Sequence, residues 1–253
     1  MLLITLPTSE SKIHRQVIRL IKAVFFDWFN TLAQYEPPRE QLQSQALQEF
    51  GINASPRELE RGLLTADRAY FEESARSPIR ERSAEEQLIF YIQYQKTVLA
   101  EAGVNASDEL LVKLMNKLQQ LYRGLTFTLF SDVLLTLKAL KEQGFTLGLL
   151  TNLPSGVDTI CENLGVQPYL DFIVTSAEAG AEKPNPAIFR LALERAGISA
   201  QEAVHVGDQY RLDVVGAREL GINPILIDRF DFYPDVNDCP RIRNLSELAG
   251  YLQ

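Results

Sequence analysis

The sequence predicts an α/β fold, a parallel sheet with crossover helices, interrupted after its first strand by a long helical insertion. Three observations predict it. Apolar runs of strand length alternate with helical periods at both ends of the chain, the signature of parallel strands joined by helices. Between them, residues 35–125 carry helical periodicity and no strand signal. The runs 23–26, 145–150 and 203–206 lead into Asp27, Thr151 and Gly207-Asp208. In open parallel sheets ligands bind outside the carboxyl ends of the strands, so these polar residues stand where chemistry is done.

The elements follow in order. Over residues 11–20, Ile13, Val17 and Leu20 fall at helical spacing among Lys12, Arg15 and Arg19. A short helix packed on the core is expected, with a basic surface helix as the alternative. His14 lies in this stretch and has no assigned role. The first strand is expected at 22–27.

After Tyr35-Glu36-Pro37-Pro38, helices are expected at 39–50, 56–74, 84–102 and 107–122. Gly51 follows the first, Ser55-Pro56 opens the second, Ser83 with Glu86 has capping-box spacing, and Gly103 ends the third. An insertion of about 90 residues is too long for an ordinary loop. From residue 126 strands and helices alternate again, with helices expected at 133–143, 155–164, 186–196, 211–220 and 245–252. Gly144, Gly165, Gly197 and Gly221 each follow one of the first four, as C-terminal caps do.

Composition narrows the function classes. With 253 residues, 46% of them hydrophobic, the chain can bury a sizeable core and is not disordered. A net charge of -8 argues against a nucleic-acid surface, which needs clustered Lys and Arg. A small phosphorylated partner stays compatible, because a local Lys and a metal override a negative global field. Cys161 and Cys239 are far apart and lack a histidine pair, which fits a reducing compartment with neither disulfide nor zinc. The apolar run at residues 1–7 is too short for a secretory core, and no stretch of about 18 apolar residues appears. A soluble cytoplasmic protein without membrane or nucleic-acid partners is expected, as a monomer or a homodimer.

Four short patterns occur in sequence: Asp27 with Thr31-Leu32, Thr151 after a strand, Lys183 in the loop after 172–174, and Gly207-Asp208 with Asp213 five residues on. Singly they recur by chance. In this order, spanning residues 22–228, they resemble the haloacid dehalogenase (HAD) superfamily of hydrolases. The resemblance implies a doubly wound, Rossmann-like core formed by residues 1–34 and 126–253, with 1–20 as an extension. Residues 35–125 would then form an all-helical cap over the active site.

The resemblance also implies roles. Asp27 would be a nucleophile that forms an aspartyl phosphate. Thr151 and Lys183 would be catalytic and, with the backbone N–H of Asn152, would contact the phosphate. Hard oxygen ligands suit Mg²⁺, which Asp27, Asp208 and the backbone carbonyl of Phe29 would hold, with Asp213 either ligating or orienting its neighbours.

One departure stands out. Phosphatases of the superfamily carry a second Asp, a general acid and base, two residues after the nucleophile, where this chain has Phe29. A phenyl ring carries no proton. The expected function is a Mg²⁺-dependent phosphatase of small phosphorylated metabolites. A 2-haloacid dehalogenase is the metal-free alternative, because those enzymes also lack the second Asp. Against it, Asp208 with Asp213 looks like the metal-binding form, and Phe189 stands where those dehalogenases carry a Tyr. A non-hydrolytic relative that binds a phosphorylated ligand or a protein partner is the third reading.

Other polar residues are expected to be structural. His205, inside an apolar strand, should be a buried, hydrogen-bonded core residue. Trp28 should pack near the turn, and Asn30 and Asn152 should serve the turns rather than the chemistry. Arg57, Arg61, Arg68 and Arg76 on the helical insertion should be solvated.

Overall fold

The computed structural model describes residues 21–153 and 155–252; the helix expected at 11–20 lies outside them. The chain enters through β1 (Ala23–Phe26) and β2 (Ala33–Glu36). Four helices follow, α1 (Arg39–Gln48), α2 (Pro56–Arg76), α3 (Ala84–Glu101) and α4 (Asp108–Tyr122), before β3 (Thr126–Leu129). Next come α5 (Val133–Glu142), β4 (Thr146–Thr151), α6 (Val157–Asn163), β5 (Phe172–Thr175), α7 (Ser176–Ala179) and α8 (Pro186–Ala196). The chain closes with β6 (Ala203–Gly207), α9 (Gly216–Glu219), β7 (Asn223–Ile227) and β8 (Arg241–Ile242).

All four residues of β1 are buried, because helices cover both faces of the sheet. A strand covered on both faces reads as a continuous apolar run rather than an alternation. Val24 and Phe26 pack with Leu137, Leu147 and Leu149 on one face, while Phe25 packs with Leu150, Ile188 and Phe189 on the other. The strand order is β5-β4-β1-β6-β7-β8, with every pairing parallel. The chain moves outward from β4 to β5 and then returns to the opposite side of β1. The switch point therefore lies at the carboxyl ends of β4, β1 and β6, where a doubly wound sheet opens a crevice.

Helices α1 to α4 form the cap, with its own hydrophobic cluster that includes Leu47, Leu59, Leu63, Leu99, Leu111 and Leu114. Ser55 and Ser83 complete capping boxes with Glu58 and Glu86 at the starts of α2 and α3. These two helices lie close because Gly62 has no side chain: a Cβ there would stand 2.3 Å from the carbonyl oxygen of Val98. Gly62→Ala is expected to cost about 1–3 kcal/mol by forcing the helices apart. Urea unfolding reads this directly, and an unchanged midpoint would show that the two helices separate without penalty.

Three features differ from the sequence expectations. First, β2 and β3 pair antiparallel as a separate two-stranded ribbon that carries the chain into and out of the cap. The expected cap limits, 34/35 and 125/126, fall inside β2 and at the start of β3. Second, the single helix expected at 211–220 is a π-helical turn, Tyr210–Val215, followed by α9. Such widened turns are frequent at functional sites. Third, the terminal helix expected at 245–252 is the tighter 3₁₀ type, Leu245–Tyr251. No helix among the described residues is long and apolar enough to cross a membrane.

Candidate active site

Asp27 follows β1 directly, and its backbone N–H still donates to Val206 of β6, at 2.9 Å. Beyond it the chain turns sharply: Leu32 and Ala33 both donate to the carbonyl of Trp28, at 2.9 and 3.0 Å. Asn30 holds this turn with a φ of 58°, a left-handed conformation that Asn tolerates better than most residues. Trp28 is fully buried, edge-on to Phe127 at 5.6 Å, as the sequence suggested. Phe29 instead lines the same cleft as Asp27.

Lys183 reaches the site from the loop between α7 and α8. The Asn152 side chain clasps that loop, its Oδ1 accepting from the Lys183 N–H at 2.7 Å and its Nδ2 donating to the Lys183 carbonyl at 3.3 Å. Lys183 Nζ then bridges two carboxylates, donating to Asp27 Oδ1 at 2.5 Å and to Asp213 Oδ1 at 2.7 Å. Its side chain is only 2% exposed.

Asp213 comes from the π-helical turn and is fully engaged. Oδ1 also lies 2.9 Å from His205 Nε2, and Oδ2 accepts the Gln209 N–H at 3.0 Å. A Cβ on Gly207 would stand 2.1 Å from Asp213 Cγ, so only glycine at the end of β6 lets this carboxylate lie against the strand. Asp208, half-buried beside it, accepts Gln209 Nε2 at 2.6 Å and Asn30 Nδ2 at 3.3 Å, both through Oδ2. Thr151 ends β4, and its hydroxyl oxygen accepts the Leu153 N–H at 3.1 Å, which leaves the hydroxyl proton available to a ligand.

Charge is unbalanced here, because three carboxylates surround one lysine. Burial, together with the charge of Asp213, raises Asp27 to about 6 even though Lys183 pulls the other way. Burial and the charges of Asp27 and Asp213 push Asp208 up as well. Burial also opposes the charges of Asp213 and Lys183, but their mutual attraction outweighs it, so Asp213 stays below and Lys183 above its ordinary range. Burial lowers His205, whose Nε2 lies against Asp213 and whose Nδ1 has no partner among the described residues. This matches the structural role expected of it.

One ligand atom each from Asp27, Asp208 and Asp213 can be chosen so that all lie within 4.8 Å of one another. Hard oxygen donors in an under-neutralised cluster fit a Mg²⁺ ion, which carries the charge the site lacks.

The cleft above these residues has a volume of about 1340 Å³. Asp27, Phe29, Thr151, Asn152, Lys183, Asp208 and Asp213 all line it. The cap and ribbon contribute Tyr35, Arg39, Asp67, Tyr70, Tyr91, Tyr94 and Tyr122. Arg39 is held by both carboxylate oxygens of Asp67, whose Oδ1 also accepts the Tyr94 hydroxyl at 2.6 Å. Its guanidinium stands 5.4 Å from the centre of the Phe29 ring.

The sequence does not single out this cluster. The available signal was the position of Arg39 in the first turn of a helix, where the macrodipole disfavours a cation unless something else holds it. Arg57, Arg61, Arg68 and Arg76 do not line the cleft. Arg61 pairs with Glu101 at 3.3 Å and Arg68 with Glu72 at 3.2 Å, while Arg57 and Arg76 are exposed.

Known proteins share this architecture. Residues 21–221 match the profile of haloacid dehalogenase-like hydrolases. The haloacid dehalogenase-like hydrolase domain-containing protein 3 of Danio rerio is 32% identical over 239 residues, covering 92% of this chain and 97% of that protein. A ribulose-1,5-bisphosphate 5-phosphatase of Halopiger xanaduensis is 39% identical over 102 residues, covering 40% of this chain and 41% of that protein.

Among solved structures, a HAD phosphatase from Thermococcus onnurineus aligns with a TM-score of 0.56 at 26% identity, covering 92% of this chain and 98% of that one. A 2-haloacid dehalogenase from Pseudomonas syringae pv. Tomato DC3000 aligns with 0.54 at 27% identity, covering 91% and 97%. Both chemistries are thus represented among similar folds. The ordered motifs, the doubly wound sheet and the match across most of the chain agree: this protein belongs to the haloacid dehalogenase-like hydrolases.

Proposed function

We propose that the protein is a Mg²⁺-dependent phosphatase of a small phosphorylated molecule, working through an aspartyl phosphate on Asp27. The observation that carries this reading is the second under-neutralised carboxylate, Asp208, in the same cluster as Asp27. A haloacid brings its own carboxylate, which two clustered anions would repel. A phosphate ester arriving with a divalent cation removes that repulsion.

Asp27, Asp208 and the carbonyl of Phe29 are the groups that would hold the ion, whose bound charge would offset that of the phosphoryl oxygens. Asp213, with both oxygens engaged, positions Lys183 instead of ligating. Asp27 attacks phosphorus, and Lys183 and the Thr151 hydroxyl meet the phosphoryl oxygens as charge redistributes. Asn152 acts through its clasp on the Lys183 loop.

Calorimetric titration tests the metal assignment. Asp208→Ala should weaken Mg²⁺ binding by about tenfold or more, because one of two charged ligands is lost; equal affinity would sink the assignment. The wild-type affinity should also fall as pH is lowered through about 6. Asp27 holds its proton up to that pH in the metal-free protein, and Mg²⁺ must displace it. Above that range the pH dependence should flatten.

The dehalogenase alternative predicts chloride release from 2-chloropropionate without metal. None is expected. Release that disappears in Asp27→Asn would overturn the proposal.

A further inference from the structure

We propose that the substrate is a phosphate monoester carried on an aromatic ring, which the tyrosine-lined cap receives and which leaves without protonation by the enzyme. The proposal rests on the phosphatase reading above and names its substrate class. Three independent features of the cleft point to it.

The first is that, among the described residues, no acid stands where the usual proton carrier would meet the leaving group. Phe29 occupies the position of the usual proton carrier, and the other cleft carboxylates outside the Asp27 cluster do not replace it. Asp67 is held by Arg39 and Tyr94, Glu182 pairs with Arg80 at 2.9 Å, and Glu81 is exposed. Burial raises Tyr94 and Tyr91, so their hydroxyls are poorer acids than ordinary phenols. An alkoxide leaves slowly when unprotonated. An aryloxide spreads the same charge into its ring and needs less help.

The second feature is the chemistry of the walls. Phe29, Tyr35, Tyr70, Tyr91, Tyr94 and Tyr122 line the cleft, with the Phe29 and Tyr35 rings already 4.6 Å apart. Rings pack well edge-on or offset against other rings, whereas a polyol requires a hydrogen-bonding partner for each buried hydroxyl.

The third is the absence of a spare cation. Among the described residues the cleft is lined by Arg39, Arg80 and Lys183, which pair with Asp67, Glu182, and Asp27 with Asp213. A second phosphate, as in a sugar bisphosphate, would meet no uncommitted positive charge in the cap. One phosphate on a neutral aromatic body fits.

The step balances simply. A carboxylate oxygen of Asp27 bonds to phosphorus as the phosphorus–aryl oxygen bond breaks, and the electron pair leaves with the aryloxide. Water then bonds to phosphorus, the bond to Asp27 breaks and the carboxylate is restored. One proton of that water stays on hydrogen phosphate; the other reaches the aryloxide through solvent.

The test compares phenyl phosphate, glycerol 3-phosphate and acetyl phosphate on the Mg²⁺-loaded full chain. Acetyl phosphate has a good leaving group but no ring. Phenyl phosphate should exceed glycerol 3-phosphate in kcat/KM by about a hundredfold. Tyr91→Ala should raise KM for phenyl phosphate by about tenfold, and by more than for acetyl phosphate, while Tyr91→Phe, which keeps the ring, should recover most of the loss.

A preference under about tenfold, or a Tyr91→Ala effect equal on the aryl and acyl substrates, would overturn the aryl assignment and leave the phosphatase reading standing. No phosphate release from any of the three, acetyl phosphate included, would overturn the phosphatase reading and this proposal with it.

Discussion

Asp27→Asn is expected to lower phosphate release by roughly 10⁴-fold or more, since the amide oxygen neither attacks phosphorus nor carries the charge that holds Mg²⁺. The fold should survive the change. Lys183 keeps its 2.7 Å bond to Asp213 and its loop keeps the Asn152 clasp, so the site remains assembled. Stability of the metal-free protein should even rise near neutral pH. A carboxyl whose folded value of about 6 lies above its unfolded one binds more protons in the native state, so stability falls as pH rises from about 4 to 6. Removing that carboxyl removes the loss. Phosphate release and thermal melting across that range read both effects. A variant that kept a tenth of wild-type activity would place the nucleophile elsewhere.

Phe29→Asp should raise hydrolysis of alkyl phosphates such as glycerol 3-phosphate by something like one to three orders of magnitude, the usual worth of a positioned acid–base group. The cap draws the expectation toward the lower end. Arg39 stands 5.4 Å from the centre of the Phe29 ring, and a carboxylate introduced there would be held ionised by it. That favours its use as a base on the attacking water and opposes its use as an acid on the leaving group. The gain should therefore appear in breakdown of the aspartyl phosphate before it appears in its formation, which single-turnover kinetics separate. A folded, Mg²⁺-binding Phe29→Asp protein with no gain on any alkyl phosphate would show that the site has lost more than its proton carrier.

The parts of this molecule that depend on neighbouring residues were legible in the sequence. The run Ala23-Val24-Phe25-Phe26 declares a strand buried on both faces, and Ser83 with Glu86 declares the start of α3, because each signal is complete within four residues. The seven candidate site residues could be ordered along the chain for a related reason. In a doubly wound sheet, consecutive strands deliver their carboxyl ends to one edge, so residues after separate strands converge even when more than 150 positions apart.

Pairings that no local signal encodes were decided by the tertiary structure. Strands β2 and β3 are four residues each and pair across the entire cap; alone, neither has a pattern that distinguishes it from loop. The helical period at 211–220 does not reveal that its first turn is π-helical, because the reason is Asp213 lying on Gly207 and bound to Lys183 and His205.

Arg39 shows the limit most clearly. In sequence it is one arginine among several on polar helices, and the ordinary fate of such a residue is solvation. Asp67, 28 positions later on α2, meets it with both oxygens, Tyr94 on α3 completes the contact, and the cation is carried over Phe29 in the cleft that Asp27 also lines. Motif order determined which reaction class this protein belongs to, because strand ends converge by topology. Only the packing of helix on helix decided which cap residues line the cleft with Asp27, because a side chain's burial depends on partners that its own segment does not contain.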